Sequence, residues 1–144
     1  LKVNNINYYV SVLLVPLIML LYIYQNKVLK INYKNYYLVK IVFKNNKEID
    51  ITGYLDTGNK LVDPITNKPV IILDKRVAKG VIQIRTPIYV PYSALNSKGL
   101  IKCISPKYII IDKHKITNVL IGLMDNKINI DGVGCILNQK IWED

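Results

Sequence analysis

From about residue 36 onward, apolar and polar positions alternate. Tyr37, Val39, Ile41 and Phe43 fall on one face, with Lys40 and Lys44 on the other. Asn45-Asn46-Lys47 interrupts the pattern. Ile49, Ile51, Gly53 and Leu55 then resume it opposite Glu48, Asp50 and Thr52. A period of two on both sides of a turn predicts a β-hairpin whose second strand ends at Asp56. Further along, 63–69 is rich in turn residues and Val70–Leu73 reads as a short buried strand. Asp74 is placed to cap a helical turn through Lys79, which Gly80 ends. Residues 81–90 alternate loosely, with Pro87 and Pro91 marking an edge strand, and Pro91–Leu95 suggests a turn or short helix. Leu100–Ile104 and Tyr108–Ile111 read as strands, with His114 in a polar turn after them. Asn118–Gly122 reads as an apolar strand ending in glycine, Leu123–Lys127 as a short helix, Asp131-Gly132 as a turn, and 133–137 as the last strand. Strands this short between turns this frequent indicate a mainly β domain over 36–144, a compact barrel or sandwich.

The first residues follow a different pattern. No charge occurs from Val3 to Asn26, and Val10–Tyr24 is almost wholly apolar, preceded by Tyr8 and Tyr9 and closed by Tyr22 and Tyr24. Aromatic residues at both ends of an apolar run predict one transmembrane helix over 1–26, in which Pro16 is tolerated. A signal peptide would end in small residues, and Gln25-Asn26-Lys27 does not. A buried core helix is the other reading of such a run. Lys27, Lys30, Lys34 and Lys40 follow it and only Lys2 precedes it, so 27–35 reads as a basic linker and the positive-inside rule places the β domain in the cytoplasm. The chain begins at Leu1, as a fragment or a processed chain would.

Composition narrows the chemistry. Two cysteines, Cys103 and Cys135, are too few for a disulfide scaffold and are expected free and buried. One histidine and two distant cysteines form no ligand set, so neither a metal nor another cofactor is expected. For the same reason, and for want of a local motif, Cys103 or Cys135 acting with His114 is a weak nucleophile reading. The net charge of +10 comes from cations scattered singly among apolar residues, which argues against nucleic-acid binding. It suits the anionic inner leaflet, where each nearby lysine contributes about 1 kcal/mol, or an acidic protein substrate.

The stretch with chemistry in it is Tyr54-Leu55-Asp56-Thr57-Gly58-Asn59. A strand running into Asp-Thr-Gly delivers a carboxylate into a tight loop, with Thr57 placed to bond neighbouring backbone and Gly58 free to take unusual angles. Aspartic peptidases use such a loop to bring two carboxylates together around one proton, one as base on water and one as acid on the substrate carbonyl. Asp-(Thr/Ser)-Gly arises by chance in roughly one chain in twenty of this length, so its surroundings must carry weight too. The motif occurs once, so a dyad requires Asp56 from each of two copies, a homodimer. Downstream, Asn118–Gly122 is similar to the apolar-apolar-Gly strand that passes beside the Asp-Thr-Gly loop in retroviral and pepsin-like peptidases, which singles out Ile121 and Gly122. By that likeness the domain is expected to be a retroviral-protease-like closed β-barrel, the counterpart of one pepsin half. The segment from Gly80 to Pro91, between the two motifs, is a candidate flap or else a surface hairpin.

The longer string Gly53–Val70, with Asp56-Thr57-Gly58-Asn59, Leu61, Asp63-Pro64, Thr66 and Pro69-Val70, resembles the sporulation sigma-E factor processing peptidases of spore-forming Firmicutes. Val90-Pro91-Tyr92-Ser93 and Asp131-Gly132 with Cys135-Ile136-Leu137 resemble further segments of that family, so the likeness runs from about Tyr37 to the end. It implies a membrane-anchored aspartic endopeptidase that cleaves the sigma-E precursor on the mother-cell side of the sporulation septum. It also implies activation by a signalling protein from the forespore, and several membrane spans ahead of the peptidase domain where this sequence offers one. By the same resemblance Asp56 is the catalytic residue, Thr57 locks two loops together across a dimer axis, and Asn59 donates to the carboxylate. Asp63 reads more simply as a turn residue. A membrane-tethered β domain that binds a protein partner without catalysis is the competing function.

Overall fold

The structure, a computed structural model, describes residues 3–84, 86–94 and 97–143. Lys2 and Leu95 lie outside the described residues, as do the side chains of Tyr8, Lys27 and Lys30. The chain divides into two units, Leu1–Asn35 and Tyr36–Asp144.

The first unit holds one helix, α1 (Val3–Tyr33), with Pro16 inside it, and the helix continues through most of the basic stretch after the apolar run. Its described side chains from Tyr9 to Asn26 are exposed. The expected transmembrane helix is not supported: among the described residues no helix is long and apolar enough to cross a membrane. Length gives the reason. The 15 residues Val10–Tyr24 cover roughly 22 Å at about 1.5 Å per residue, short of a hydrocarbon core of about 30 Å.

The described residues of the second unit form nine strands: β1 (Tyr36–Val42), β2 (Glu48–Asp56), β3 (Val70–Asp74), β4 (Ile88–Ala94), β5 (Ser97–Ile104), β6 (Tyr108–Ile111), β7 (His114–Ile116), β8 (Leu120–Met124) and β9 (Cys135–Asn138), then a 3-10 turn, Gln139–Trp142. The alternating stretches form the expected hairpin, with Tyr36 opposite Tyr54 and Val42 opposite Glu48. Asn46, at a φ of 61°, makes its tight turn. All nine strands join one sheet in the order β4-β5-β8-β3-β9-β2-β1-β6-β7.

That order overturns the expected closed, retroviral-protease-like barrel. Closure requires the outermost strands to pair, and β4 and β7 are the two ends of an open sheet. Both have features that blunt an edge. Pro91 within β4 has no N–H to offer, and β7 is three residues long with His114 and Lys115 exposed.

Local expectations also shift. Pro91–Ala94 stays extended in β4 and pairs with β5, rather than turning. Residues 75–80 form successive turns, and Asp74, which ends β3, caps them as expected, its carboxylate accepting from the Arg76 N–H at 3.0 Å. His114 begins a strand. Gly122 sits in the middle of β8, which continues to Met124 where a helix was expected. A Cβ at Gly122 would lie 2.8 Å from Ile101 Cδ1, so the glycine serves close packing of β5 on β8, not a strand end.

The main core gathers Val39, Ile41, Ile71, Leu73, Ile109, Ile111, Ile121 and Leu137, all at 0–1% exposure. A smaller cluster of Val70, Val90, Cys103 and Leu120 holds the β4–β5 end to β3 and β8.

Asp63 is buried in a turn of its own making. Its carboxylate accepts from the N–H groups of Ile65 and Thr66 at 3.3 and 3.1 Å and from the Thr66 hydroxyl. The Thr66 hydroxyl above all holds its carboxyl below the ordinary value, and the Arg76 guanidinium does the same for Asp74. A folded-state value below the unfolded one, about 3.9, means the stabilisation is complete above that pH and is lost as pH falls through the folded value. Unfolding by urea is therefore expected to become easier on acidification below about pH 4. Asp63→Asn should flatten part of that acid limb; a variant with the parent's full acid slope would show that Asp63 does not contribute.

Candidate active site

β2 and β9 run parallel, with Gly53 opposite Cys135 and Asp56 opposite Asn138. Their approach depends on Gly53, where a Cβ would lie 2.8 Å from Val39 Cγ2 and 3.0 Å from Cys135 Sγ. Both strands finish at the same level, so Asp56 and Asn138 are delivered side by side.

Asp56 is half-buried, and the chain turns immediately after it. The Gly58 N–H donates to Asp56 Oδ1 at 2.8 Å, and the Asn59 N–H donates to the Asp56 carbonyl at 3.0 Å. The carboxylate is thus fixed by its own loop while a second oxygen stays available. Gly58 is not among the described residues with positive φ. What the position requires is space, since a Cβ there would sit 3.1 Å from Asp56 Oδ1. Thr57 is exposed, and its hydroxyl makes no hydrogen bond among the described residues.

Asn59 points away from the carboxylate. It is buried, its Nδ2 donates to the carbonyls of Val70 and Leu137 at 3.2 and 3.4 Å, and its Oδ1 accepts from the Leu61 N–H at 3.3 Å. It ties the loop to β3 and β9. Asn138, which sequence reasoning missed, does the companion work at 0% exposure. Its Nδ2 donates to the carbonyls of Leu61 and Val70 at 2.6 and 3.3 Å, and its Oδ1 accepts from the Lys140 N–H at 3.0 Å. A polar residue ending the apolar run Cys135-Ile136-Leu137 was the one signal that marked it.

Ile121 and Gly122 are buried in β8, and β9 and β3 stand between β8 and β2. The residues just after them, Leu123 to Asn126, reach a cavity of about 920 Å³ that Asp56, Gly58 and Asn59 also line. The opposite wall is the β4–β5 hairpin, through Tyr89, Pro91, Tyr92 and Ser93 on β4 and Leu100, Ile101 and Lys102 on β5. The β4–β5 hairpin that walls the cleft begins inside the Gly80–Pro91 segment, at Ile88, and runs on to Ile104. Its second half was hard to see because Pro91-Tyr92-Ser93 reads as a turn. Tyr92 is seated over Gly99, where a Cβ would come within 3.1 Å of its ring.

Among the described residues lining the cleft, Asp56 is the one carboxylate held in a loop of this kind. Asp125, also on the wall, is exposed and ion-paired with Lys75 at 2.9 Å. A larger cavity of about 1080 Å³ elsewhere on the sheet includes none of the expected site residues. Burial pushes the Cys103 and Cys135 thiols up to about 12, which leaves both without thiolate at neutral pH. Among the described residues no cluster of three His, Cys, Asp or Glu gathers to hold a metal.

Residues 2–141 match the family model described as sporulation factor SpoIIGA. A protein of Clostridium acetobutylicum described as "Probable sporulation sigma-E factor-processing peptidase" is 36% identical over 123 residues, covering 78% of this chain and 46% of that protein. The chain spans about half the length of this curated relative.

The two asparagines make the loop's shape testable. Asn138→Ala removes one of two donors to each of the Leu61 and Val70 carbonyls, which keep the Val70 N–H at 2.9 Å and Asn59 Nδ2 at 3.2 Å, and should cost about 0.5–1.5 kcal/mol of stability. It should also speed amide hydrogen exchange at Gly58. Unchanged stability and unchanged exchange would remove Asn138 from the support of this loop.

Proposed function

The chain belongs to the sporulation factor SpoIIGA family, and we propose that it is the peptidase part of an aspartic endopeptidase that works as a homodimer. The observation that carries this is the placing of Asp56. It stands at the end of β2, with one oxygen held by the Gly58 N–H at 2.8 Å, on the wall of a cleft large enough for an extended peptide.

In the dimer, Asp56 of each copy supplies one carboxyl group. Two such groups about 3 Å apart cannot both ionise, so they share a proton and titrate as a unit. The ionised one takes a proton from a water, whose oxygen attacks the scissile carbonyl carbon, while the protonated one gives its proton to the carbonyl oxygen. The tetrahedral intermediate then collapses, the C–N bond breaks, and the departing nitrogen takes up the proton first drawn from water. Gly58 allows the loop to close on the carboxylate, Thr57 lies at the loop's outer side towards the partner copy, and Asn59 holds the loop down. Ile121 and Gly122 serve the core behind the cleft, not the chemistry.

The name of the Clostridium acetobutylicum relative supports a sigma-E precursor as the substrate. The exposed apolar side chains of α1 between Val10 and Tyr24 and the chain's net charge of +10 support association with a membrane carrying anionic lipid. By family resemblance the β domain, 36–144, faces the mother-cell cytoplasm, and a forespore signalling protein governs it.

Two measurements test this. The chain is produced with a sigma-E precursor in a host without sporulation genes. The intact chain should shorten the precursor, and Asp56→Ala and Asp56→Asn should lower the rate by roughly 10²–10⁴-fold or more. Shortening that survives both substitutions, or none by a stable intact chain, would defeat the proposal. Mixing intact and Asp56→Asn chains in equal amounts tests the shared dyad separately. Random pairing should leave roughly one quarter of the activity, against one half for independent monomers.

A further inference from the structure

Sharing one proton imposes a geometry. Both Asp56 loops must meet at a two-fold axis, so the same patch of each copy faces the other. The loop has two flanks. On one, Asp56 and Gly58 open onto the 920 Å³ cleft, which has to stay free for substrate. On the other, Thr57 opens onto a separate hollow of about 450 Å³.

That second hollow is where the main core comes to the surface. Leu55 and Tyr37, half-buried members of the core, line it together with Thr57, His114 and Trp142, and the acidic side chains of Asp112 and Glu143 border it. Trp142 lies across it, its ring 5.8 Å from Tyr37 and 6.1 Å from His114 between centroids, the latter edge-on at 88°. Trp142 remains 39% exposed and His114 is exposed. His114 also opens β7, the unpaired edge of the sheet. An exposed tryptophan over an apolar hollow, beside the loop that needs a partner, fits the anchoring centre of an interface better than ordinary surface.

We propose that the Trp142–Tyr37–Leu55 hollow next to Thr57 is the surface on which a second copy of this chain docks, with Trp142 as its anchor. This rests on the homodimer proposed above and says which face makes it. The Thr57 hydroxyl, without a hydrogen-bond partner among the described residues, gains one there from the partner copy. The 3-10 turn Gln139–Trp142 directly follows Asn138, so the anchor and the support of the Asp56 loop belong to one short segment.

The chain supplies its own reporter, because Trp142 is its one tryptophan. The whole chain in mild detergent is diluted through its dimer–monomer transition. Mass is followed by sedimentation and Trp142 by emission and acrylamide quenching. Association should shift the emission to the blue and lower the quenching constant at least about twofold, over the concentration range in which the mass doubles. Trp142→Ala should raise the dissociation constant at least about tenfold while leaving the circular dichroism unchanged. If the chain dimerises with no change at Trp142, a different face is used; this inference falls and the homodimer stands. A chain that stays monomeric throughout overturns both.

Discussion

The arrangement depends on one insertion. The last strand, β9, enters the sheet between β2 and β3, parallel to the first and antiparallel to the second. Without it the hairpin that ends in Asp56 would have no neighbour on its inner edge, and β3 and β8 would form a separate sheet. Gly53 eases the insertion, because a Cβ there would lie 3.0 Å from Cys135 Sγ and 3.1 Å from Leu137 Cγ, both on β9. The insertion also brings residues at opposite ends of the domain, Asp56 and Asn138, into the same register.

Different forces hold the sheet and shape the loop. Burying one large aliphatic side chain contributes about 1.5–3 kcal/mol, and the core has many of them, from Val39 to Leu137. A net hydrogen bond contributes only about 0.5–1.5 kcal/mol. Asn59 and Asn138 therefore do little to decide whether the domain folds. They decide where its polar backbone goes. Between them they donate to the carbonyls of Leu61, Val70 and Leu137, and so fix the backbone on which Asp56 stands. The carboxylate faces a wide cleft on one side, while the apolar core surfaces beside Thr57 on the other. The homodimer proposed above needs that division, one flank open to substrate and one for the second copy.

Much of this was legible in residue order. The hairpin of β1 and β2 follows from alternation, and β3, β5 and β6 fall close to their expected places. The likeness carried by the string from Gly53 to Val70 agrees with a family match over residues 2–141. Failures have identifiable causes. Pro91 marked an edge strand, which β4 is, but Pro91–Ala94 read as a turn although it stays extended and pairs with β5. Gly122 suggested a strand end, whereas its missing side chain makes room for Ile101. Asn59 was assigned to the carboxylate from resemblance alone; its amide is spent on carbonyls of β3 and β9. The apolar run in α1 carried the composition of a membrane span but not the length.

Periodicity, turn chemistry and the Asp-Thr-Gly loop are properties of a few consecutive residues, and the sequence by itself determined them: a mainly β domain, a carboxylate at a strand end, and membership of a family. Strand order is different in kind. It depends on which distant apolar faces bury one another, so only the tertiary structure decided that β9 runs between β2 and β3 and that the sheet stays open at β4 and β7. The same holds for the β4–β5 wall of the cleft, for Asn138 beneath the loop and for Trp142 beside it. None of these is marked by its neighbours in sequence. Each is placed by packing across the whole domain.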